Sequence, residues 1–342
     1  MKRVSLKHVA QVAGVSVATV SMALRGAGRI APKTVERIEA LANEMGYVPD
    51  PLLASLATRR FREDSDSKGS PIAVIKCSES MGRGDYAERF RDSLSSLGYV
   101  MESHRLDSPE NFESLVAKMT RRGIRGVILI PDVFPEILID PSPWSKFSIV
   151  QSSRFLHSAP VHTVRANIFQ AVKLAYTKAY EAGYRRIGFA LGFHEYWIED
   201  DESRNGAAWI LQQHFGRAEN YIPPYQGYLS GGDRSFLDWY HHYRPEAVVA
   251  FNSNALARLQ ALGIHAPNDL GFIALHLNEN EIGAPSSEVR ICGLDQNNKE
   301  VARQTVWVLD QMIRFGETGF PEVARDILIP STWVAGDTLR KQ

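Results

Sequence analysis

Two short amphipathic stretches joined by one glycine open this chain and leave few folds available to it. In residues 4 to 25, VSLKHVAQVAGVSVATVSMALR, the apolar side chains Leu6, Val9, Ala10 and Val12 recur at helical spacing. Gly14 permits a tight turn, and Ser16 can cap a second helix whose apolar side is Val20, Ala23 and Leu24. The other side of that helix carries Val17, Ala18, Ser21, Met22 and Arg25, small or flexible enough to enter a major groove. A third helix is expected from Pro32, with Val35, Ile38, Leu41 and Ala42 inward and Gly46 as its stop. An ordinary helical hairpin within a larger core is the competing reading. It fits poorly, because a third amphipathic helix and a linker follow at once.

Charge distribution supports the first reading. The formal net charge is zero, yet the first 60 residues hold nine Lys and Arg against four acidic side chains, Glu36, Glu39, Glu44 and Asp50. A basic head on a neutral chain suits phosphate contacts. Residues 61–70, with Arg62, Glu63, Asp64, Ser65, Asp66, Ser67, Lys68 and Gly69, read as a solvated linker. At 342 residues and 44% hydrophobic, the chain is long enough for two or three domains. Without a signal-peptide apolar segment or a run of membrane-spanning length, the expectation is a soluble cytoplasmic protein with no membrane partner. Cys77 and Cys292 match neither a disulfide framework nor a metal-ligand spacing and read as buried free thiols.

The first 60 residues resemble the DNA-binding headpiece of the lac repressor (LacI/GalR) family of bacterial transcription regulators. The shared residues are Val4, Leu6, Val9, Ala10, Ala13 to Ser16, Thr19 to Ser21, Lys33 and Thr34, Gly46, Tyr47 and Pro49, and Leu56 with Ala57. The resemblance implies a helix-turn-helix headpiece over 1–49 and a hinge helix over 50–60, with Asp50 as its cap and Pro51 in its first turn. It implies a palindromic double-stranded operator, with Ser16, Val17, Ala18, Thr19, Ser21, Met22, Arg25, Arg29, Lys33, Thr34, Tyr47 and Leu56 facing DNA. Leu56 matches the apolar wedge that relatives push into the minor groove. A helix this short is marginal alone in water, so its folding can be coupled to DNA. Relatives usually carry arginine where Met22 stands; methionine cannot make the two hydrogen bonds by which arginine grips guanine.

From residue 71 the pattern changes to apolar runs separated by amphipathic segments. Ile72–Cys77, Tyr99–Ser103, Gly126–Ile130, Phe147–Gln151, Arg186–Leu191, Ala247–Phe251 and Gly271–Leu275 read as buried strands of parallel sheets covered on both faces. Landmarks include AGYRRIG at 182–188, PEAVVA at 245–250, DLG at 269–271 and DQ at 295–296. They resemble the same family's effector-binding and dimerisation core, an α/β structure of two doubly wound lobes like a periplasmic binding protein. The expected division is 71–163 with 294–318 in one lobe, and 164–293 with 319–342 in the other. Several residues depart from that pattern. Asn167 stands where relatives usually have aspartate, Asn252 and Ser253 replace an Asn-Asp pair, and His276 replaces a ligand-binding carboxylate. Arg204 matches the cleft arginine, its competing reading being a solvated helix arginine. The resemblance places Ser78, Gln170, Trp197, Arg204, Asn252 and His276 around a sugar or sugar-derived effector, with Tyr196 and Trp209 as further aromatic candidates or as core. Because His276 removes an acceptor, an acidic or modified ligand is expected, or none.

Enzyme motifs are absent. The sequence has no HExxH, GxSxG, GxxxxGK or CxxC, and Gly82 with Gly84 is not a dinucleotide fingerprint, so no catalytic residue or cofactor is expected. The acidic run Glu199 to Glu202 could bind a metal, but negative charge also suits a helix start, and the structural reading is preferred. His241 and His242 lack a third ligand nearby and read as a solvated helix end. Expected overall is a homodimeric, ligand-responsive transcriptional regulator, a repressor of carbohydrate-use genes. The alternative is a sugar-binding module without a regulatory role, which would leave the first 60 residues unexplained. With nine residues after Trp333, no leucine-heptad tail is evident.

Overall fold

The computed structural model describes residues 5–24, 30–45, 69–76, 86–130, 135–152, 160–194, 199–215, 218–225, 227, 235–283 and 289–340. They fall into two compact units, Met1–Gly69 and Ser70–Gln342.

The first unit contains α1 (Leu6–Ala13), α2 (Val17–Ala23) and α3 (Pro32–Glu44). Gly14 closes α1 in the left-handed region at φ +66°, donating its N–H to the Ala10 carbonyl. A side chain there would be strained. Ser16 then caps α2, its hydroxyl accepting the Thr19 N–H at 3.0 Å. Val9, Ala10, Ala13, Val20, Ala23, Ile38 and Ala42 form one buried cluster, with Leu6, Leu24, Val35 and Leu41 packed against it. Val12 departs from expectation: it is 60% exposed and Ala13 takes its place inside. At about 100° per residue, positions 6, 9, 10 and 13 share a helix face and position 12 points away from it.

In the second unit, Ser70–Gln342, seven elements correspond to the expected strands, with ends shifted by up to two residues. These are β1 (Ser70–Lys76), β2 (Tyr99–Arg105), β3 (Gly126–Leu129), β4 (Ser148–Ser152), β6 (Ile187–Ala190), β7 (Ala247–Asn252) and β8 (Gly271–His276). Four more were not foreseen: β5 (His162–Ala166), β9 (Cys292–Asp295), β10 (Asp326–Ile329) and β11 (Thr332–Val334). One sheet has the order β10-β5-β4-β3-β1-β2 and the other β11-β9-β8-β7-β6, the pairings being parallel except that of β11 with β9. Neighbouring side chains on a strand enter different cores. In the first sheet Ala73 and Ile75 pack on one face with α5 (Phe112–Arg121), while Ile72 and Val74 pack on the other with α4 (Arg91–Ser96) and α11 (Asn298–Phe315). In the second, Val249 and Ile273 meet α6 (Ile168–Glu181) and α7 (Glu199–Phe215); Val248 and Phe272 meet α8 (Ser235–Tyr243) and α9 (Asn254–Gln260). A short α10 (Glu279–Gly283) follows β8. Burial on both faces is why these strands read as continuous apolar runs. Cys292 is a buried free thiol, as expected; Cys77 lies outside the described residues.

The chain crosses between the sheets at 166–168, 295–298 and 329–332, which corrects the expected lobe limits. Residues 326–329 pair with β5 in the first sheet, in register Asp326↔Thr163, although they had been assigned to the second lobe. Residues 294–295 belong to the second sheet rather than the first. Amide side chains join the crossings: Asn297 Nδ2 donates to the Pro330 carbonyl at 2.8 Å, and the Ser331 N–H to Gln170 Oε1 at 3.1 Å. Asn167 N–H donates to the Ile329 carbonyl at 2.7 Å.

Ile38 is fully buried between the headpiece helices. Truncation to alanine in a core this small should cost about 2–5 kcal/mol, comparable to the stability of so small a unit. In the full chain, Ile38→Ala is expected to make residues 1–69 readily cleaved by protease at 37 °C while 70–342 stays resistant; equal resistance of both units would contradict it.

Candidate DNA-reading face and effector cleft

On α2, Val17 and Met22 are outward as expected, 43% and 37% exposed. Both are apolar, so this surface offers van der Waals contact where a polar helix would offer hydrogen bonds. Ala18 and Ser21 lie on the same helix, whose start Ser16 and Thr19 fix through paired hydroxyls 2.8 Å apart. Lys33 is exposed and Thr34 partly buried in the first turn of α3, where backbone N–H groups and the helix dipole favour an anion. Arg25, Arg29, Tyr47 and Leu56 lie outside the described residues, as do Gly46 and the hinge segment.

In the second unit, three expected ligand residues sit at or beside the carboxyl edge of the second sheet, where open α/β sheets bind their ligands. Asn252 and His276 end neighbouring strands and are in register with each other. Phe251 lies beside them, its ring centroid 4.7 Å from that of His276, and the Arg204 guanidinium stands over its face at 4.6 Å. Arg204 is only 2% exposed, which excludes the solvated-helix reading.

Arg204 is already engaged. It donates to Asp201 one turn back on α7, and the same carboxylate accepts the His194 backbone N–H at 2.6 Å and lies 2.9 Å from His194 Nδ1. The Nε of Arg204 is buried with no hydrogen-bond partner among the described residues. Burial pulls this guanidinium down to about 10, against the opposing charge of Asp200. His276 is pushed down to about 3 by burial and by the charges of Arg204, His194 and Arg89, so it presents a neutral imidazole. Sequence reasoning missed Asp201 as a partner of Arg204, and also His194, Phe251 and Arg89. Only the i, i+3 spacing of Asp201 and Arg204 carried a signal.

Other expected ligand residues have local duties. Gln170 Oε1 accepts the Ser331 N–H at a sheet crossing, and Asn252 Oδ1 accepts the Asn254 N–H at 3.0 Å. Trp209 is half exposed and lies about 140° round α7 from Arg204, so it does not share that residue's face. Ser78, Tyr196 and Trp197 lie outside the described residues. The acidic run does more than start a helix. Glu199 and Asp200 face Arg165 of β5 at 3.5 and 3.2 Å, and Asp201 serves the cleft. No group of three metal-ligating side chains occurs among the described residues, and none of their helices is long and apolar enough to cross a membrane. His241 and His242 are exposed in the last turn of α8.

Known proteins share both parts. Residues 5–50 match the family described as "Bacterial regulatory proteins, lacI family", and residues 177–339 match a periplasmic binding protein-like domain. The HTH-type transcriptional regulator DegA of Bacillus subtilis is 38% identical over 328 residues, 88% of this chain and 89% of that one. The chain belongs to the lacI family of bacterial regulatory proteins. Another relative, the maltose regulon regulatory protein MalI of Escherichia coli, is 27% identical over 56% of this chain and 54% of its own length. The lac repressor dimer bound to operator and the anti-inducer ONPF has the same fold, with a TM-score of 0.59 at 17% identity, covering 98% of this chain and 99% of that one.

The buried histidines make stability depend on pH. His276, and with it His104 and His162, which burial also holds below the ordinary 6.5, bind fewer protons folded than unfolded in mildly acid solution. Unfolding therefore takes up protons, and stability falls as pH drops below about 6.5. His276→Asn should flatten the slope of unfolding midpoint against pH between 7 and 5; parallel curves for the two proteins would contradict the assignment.

Proposed function

We propose that this chain is a homodimeric repressor of genes for carbohydrate use, binding a palindromic operator through its headpiece and a small ligand between its core lobes. The observation that carries the reading is a capped helix presenting Val17 and Met22 outward from an otherwise closed three-helix core. One headpiece reads a half-site, so two-fold protein symmetry suits a palindrome. Ser16, Val17, Ala18, Thr19, Ser21, Met22, Lys33 and Thr34 form the described part of the DNA-facing set, extended by Arg25, Arg29, Tyr47 and the wedge Leu56. The ligand set comprises Arg204, His276, Asn252 and Gln170, together with Ser78 and Trp197. Carbohydrate is favoured by the relatives, which include a maltose regulon protein, a sucrose operon repressor and a regulator in complex with cellobiose.

A selection of operators from random duplexes with the full chain, followed by thermal-shift screening of sugars, sugar acids and sugar phosphates, tests the reading. A ligand at 100 times its dissociation constant adds about 2.7 kcal/mol of stability. Its binding must also change operator affinity by the factor by which operator changes its own. A chain that enriches no duplex is not a DNA-binding regulator.

Two substitutions separate the parts of the interface. Met22→Ala removes an apolar contact, suited to thymine methyls, and should lower operator affinity on the order of tenfold, since fully burying a methionine side chain contributes about 1.5–3 kcal/mol and alanine keeps only part of it. Unchanged affinity and base preference would place recognition elsewhere. Leu56→Ala should abolish operator bending in a circular-permutation gel assay while leaving ligand binding intact. Equal bending by both proteins rules out the wedge.

A further inference from the structure

Arg165 is a cation held nearly out of solvent. It lies on β5, the last strand before the chain first leaves the first sheet, and is 9% exposed. Its guanidinium makes a two-pronged contact with Asp326 of β10, Nη2 to Oδ2 at 2.8 Å and Nε to Oδ1 at 3.1 Å, which orients it within the first lobe. The remaining nitrogen reaches the other lobe: Nη1 donates to Asp200 at 3.2 Å, while Nη2 also lies 3.5 Å from Glu199. Both acids belong to the first turn of α7, the turn that carries Asp201 and leads into Arg204.

Asp200 thus feels two arginines. Burial raises its carboxyl above the usual range, while the charges of Arg165 and Arg204 draw it down. Taking either arginine away leaves a largely buried carboxylate short of its compensating charge, a costly state that the first turn can relieve by moving. One face of the turn answers to the first lobe and the other to the ligand cleft.

We propose that Arg165 is a positioning residue that couples the placement of the first lobe to the Arg204 seat, acting through Asp200 on the shared first turn of α7. The proposal rests on the reading of the cleft as the ligand site of an operator-binding protein. In its terms, a ligand that rearranges Arg204 and Asp201 alters the hold of Asp200 on Arg165. The change reaches the first sheet by an ion pair rather than through the crossings alone.

The test is a double-mutant cycle in the full chain with Arg165→Met, Asp200→Asn and the pair, using selected operator DNA as the probe. Two quantities are read: amide exchange of Ser203 to Ala207, whose N–H groups close the first turns of α7, and operator affinity. Arg165→Met is expected to speed exchange at least fivefold and to shift operator affinity at least fivefold, although it lies outside the headpiece. The double variant should do no more than the larger single, and Arg165→Lys should restore part of both effects. A residue with a merely structural role would lower the melting temperature and leave operator affinity unmoved at temperatures where the protein is folded. Unchanged exchange with unchanged operator affinity, or strictly additive effects, overturns the proposal. If Arg165→Met fails to fold, Asp200→Asn carries the same two readouts, because it removes a charge from an acid-rich cluster. A wild-type chain that binds no operator sinks the regulator reading instead, and the exchange cycle still decides the coupling.

Discussion

Three passes of the backbone between two sheets, held together by side-chain amides, fix where the second sheet presents its strand ends. Gln296 Nε2 donates to the Leu275 carbonyl at 2.6 Å, and its Oε1 accepts from the Ser331 hydroxyl at 3.3 Å. Asn297, itself left-handed at φ +53°, donates to Pro330 and Thr332. Each such bond contributes about 1 kcal/mol net, so together they set geometry more than they set stability. Stability comes from the apolar layers on both faces of each sheet. Asn252 and His276 end side by side because β7 pairs with β8 in register, and Phe251 and Arg204 lie against them.

The first turn of α7 is where this geometry becomes chemistry. Asp200 and Asp201 are adjacent, yet one serves Arg165 in the first lobe and the other Arg204 and His194 in the second. Neighbours on a helix point about 100° apart, so a single turn can face two lobes at once. Buried ion pairs add little net stability, because desolvation offsets attraction, but breaking one partner is costly. Such a turn is therefore poorly explained as a stabiliser and well explained as an element whose position is specified from two sides.

Local patterns were legible in the sequence, and long-range pairings were not. The headpiece helices announce themselves by apolar spacing, with Gly14 as the turn glycine after α1 and Ser16 as the cap of α2, and the slip in α1 is Val12 for Ala13. Strands with apolar side chains on both faces could also be read directly. HTVRA, the sequence of β5, could not, because its polar side chains are satisfied by residues about 160 positions away: His162 Nδ1 accepts the Arg325 N–H, and Arg165 meets Asp326. The misplaced lobe limit follows from the same cause, since β10 belongs to the first sheet only through its pairing with β5. At the cleft, the resemblance supplied Arg204, Asn252 and His276, but it held no clue to the groups that hold Arg204.

Those groups bear on the cleft because His276 stands where the resemblance leads one to expect a carboxylate. A neutral imidazole offers one donor and one acceptor and brings no charge to balance a buried guanidinium. The anion that Arg204 holds directly is Asp201 on the first turn of α7, and the charge of Asp200 acts on it as well. On the proposed reading of the cleft, that placement bears on ligand recognition. A carboxylate on a strand end is held by the sheet, whereas one on a helix's first turn shares its position with Asp200 and Glu199 and, through them, with Arg165. A ligand that takes over part of Arg204's hydrogen bonding must therefore displace or join Asp201, and it cannot do so without acting on the turn that ties the two lobes together.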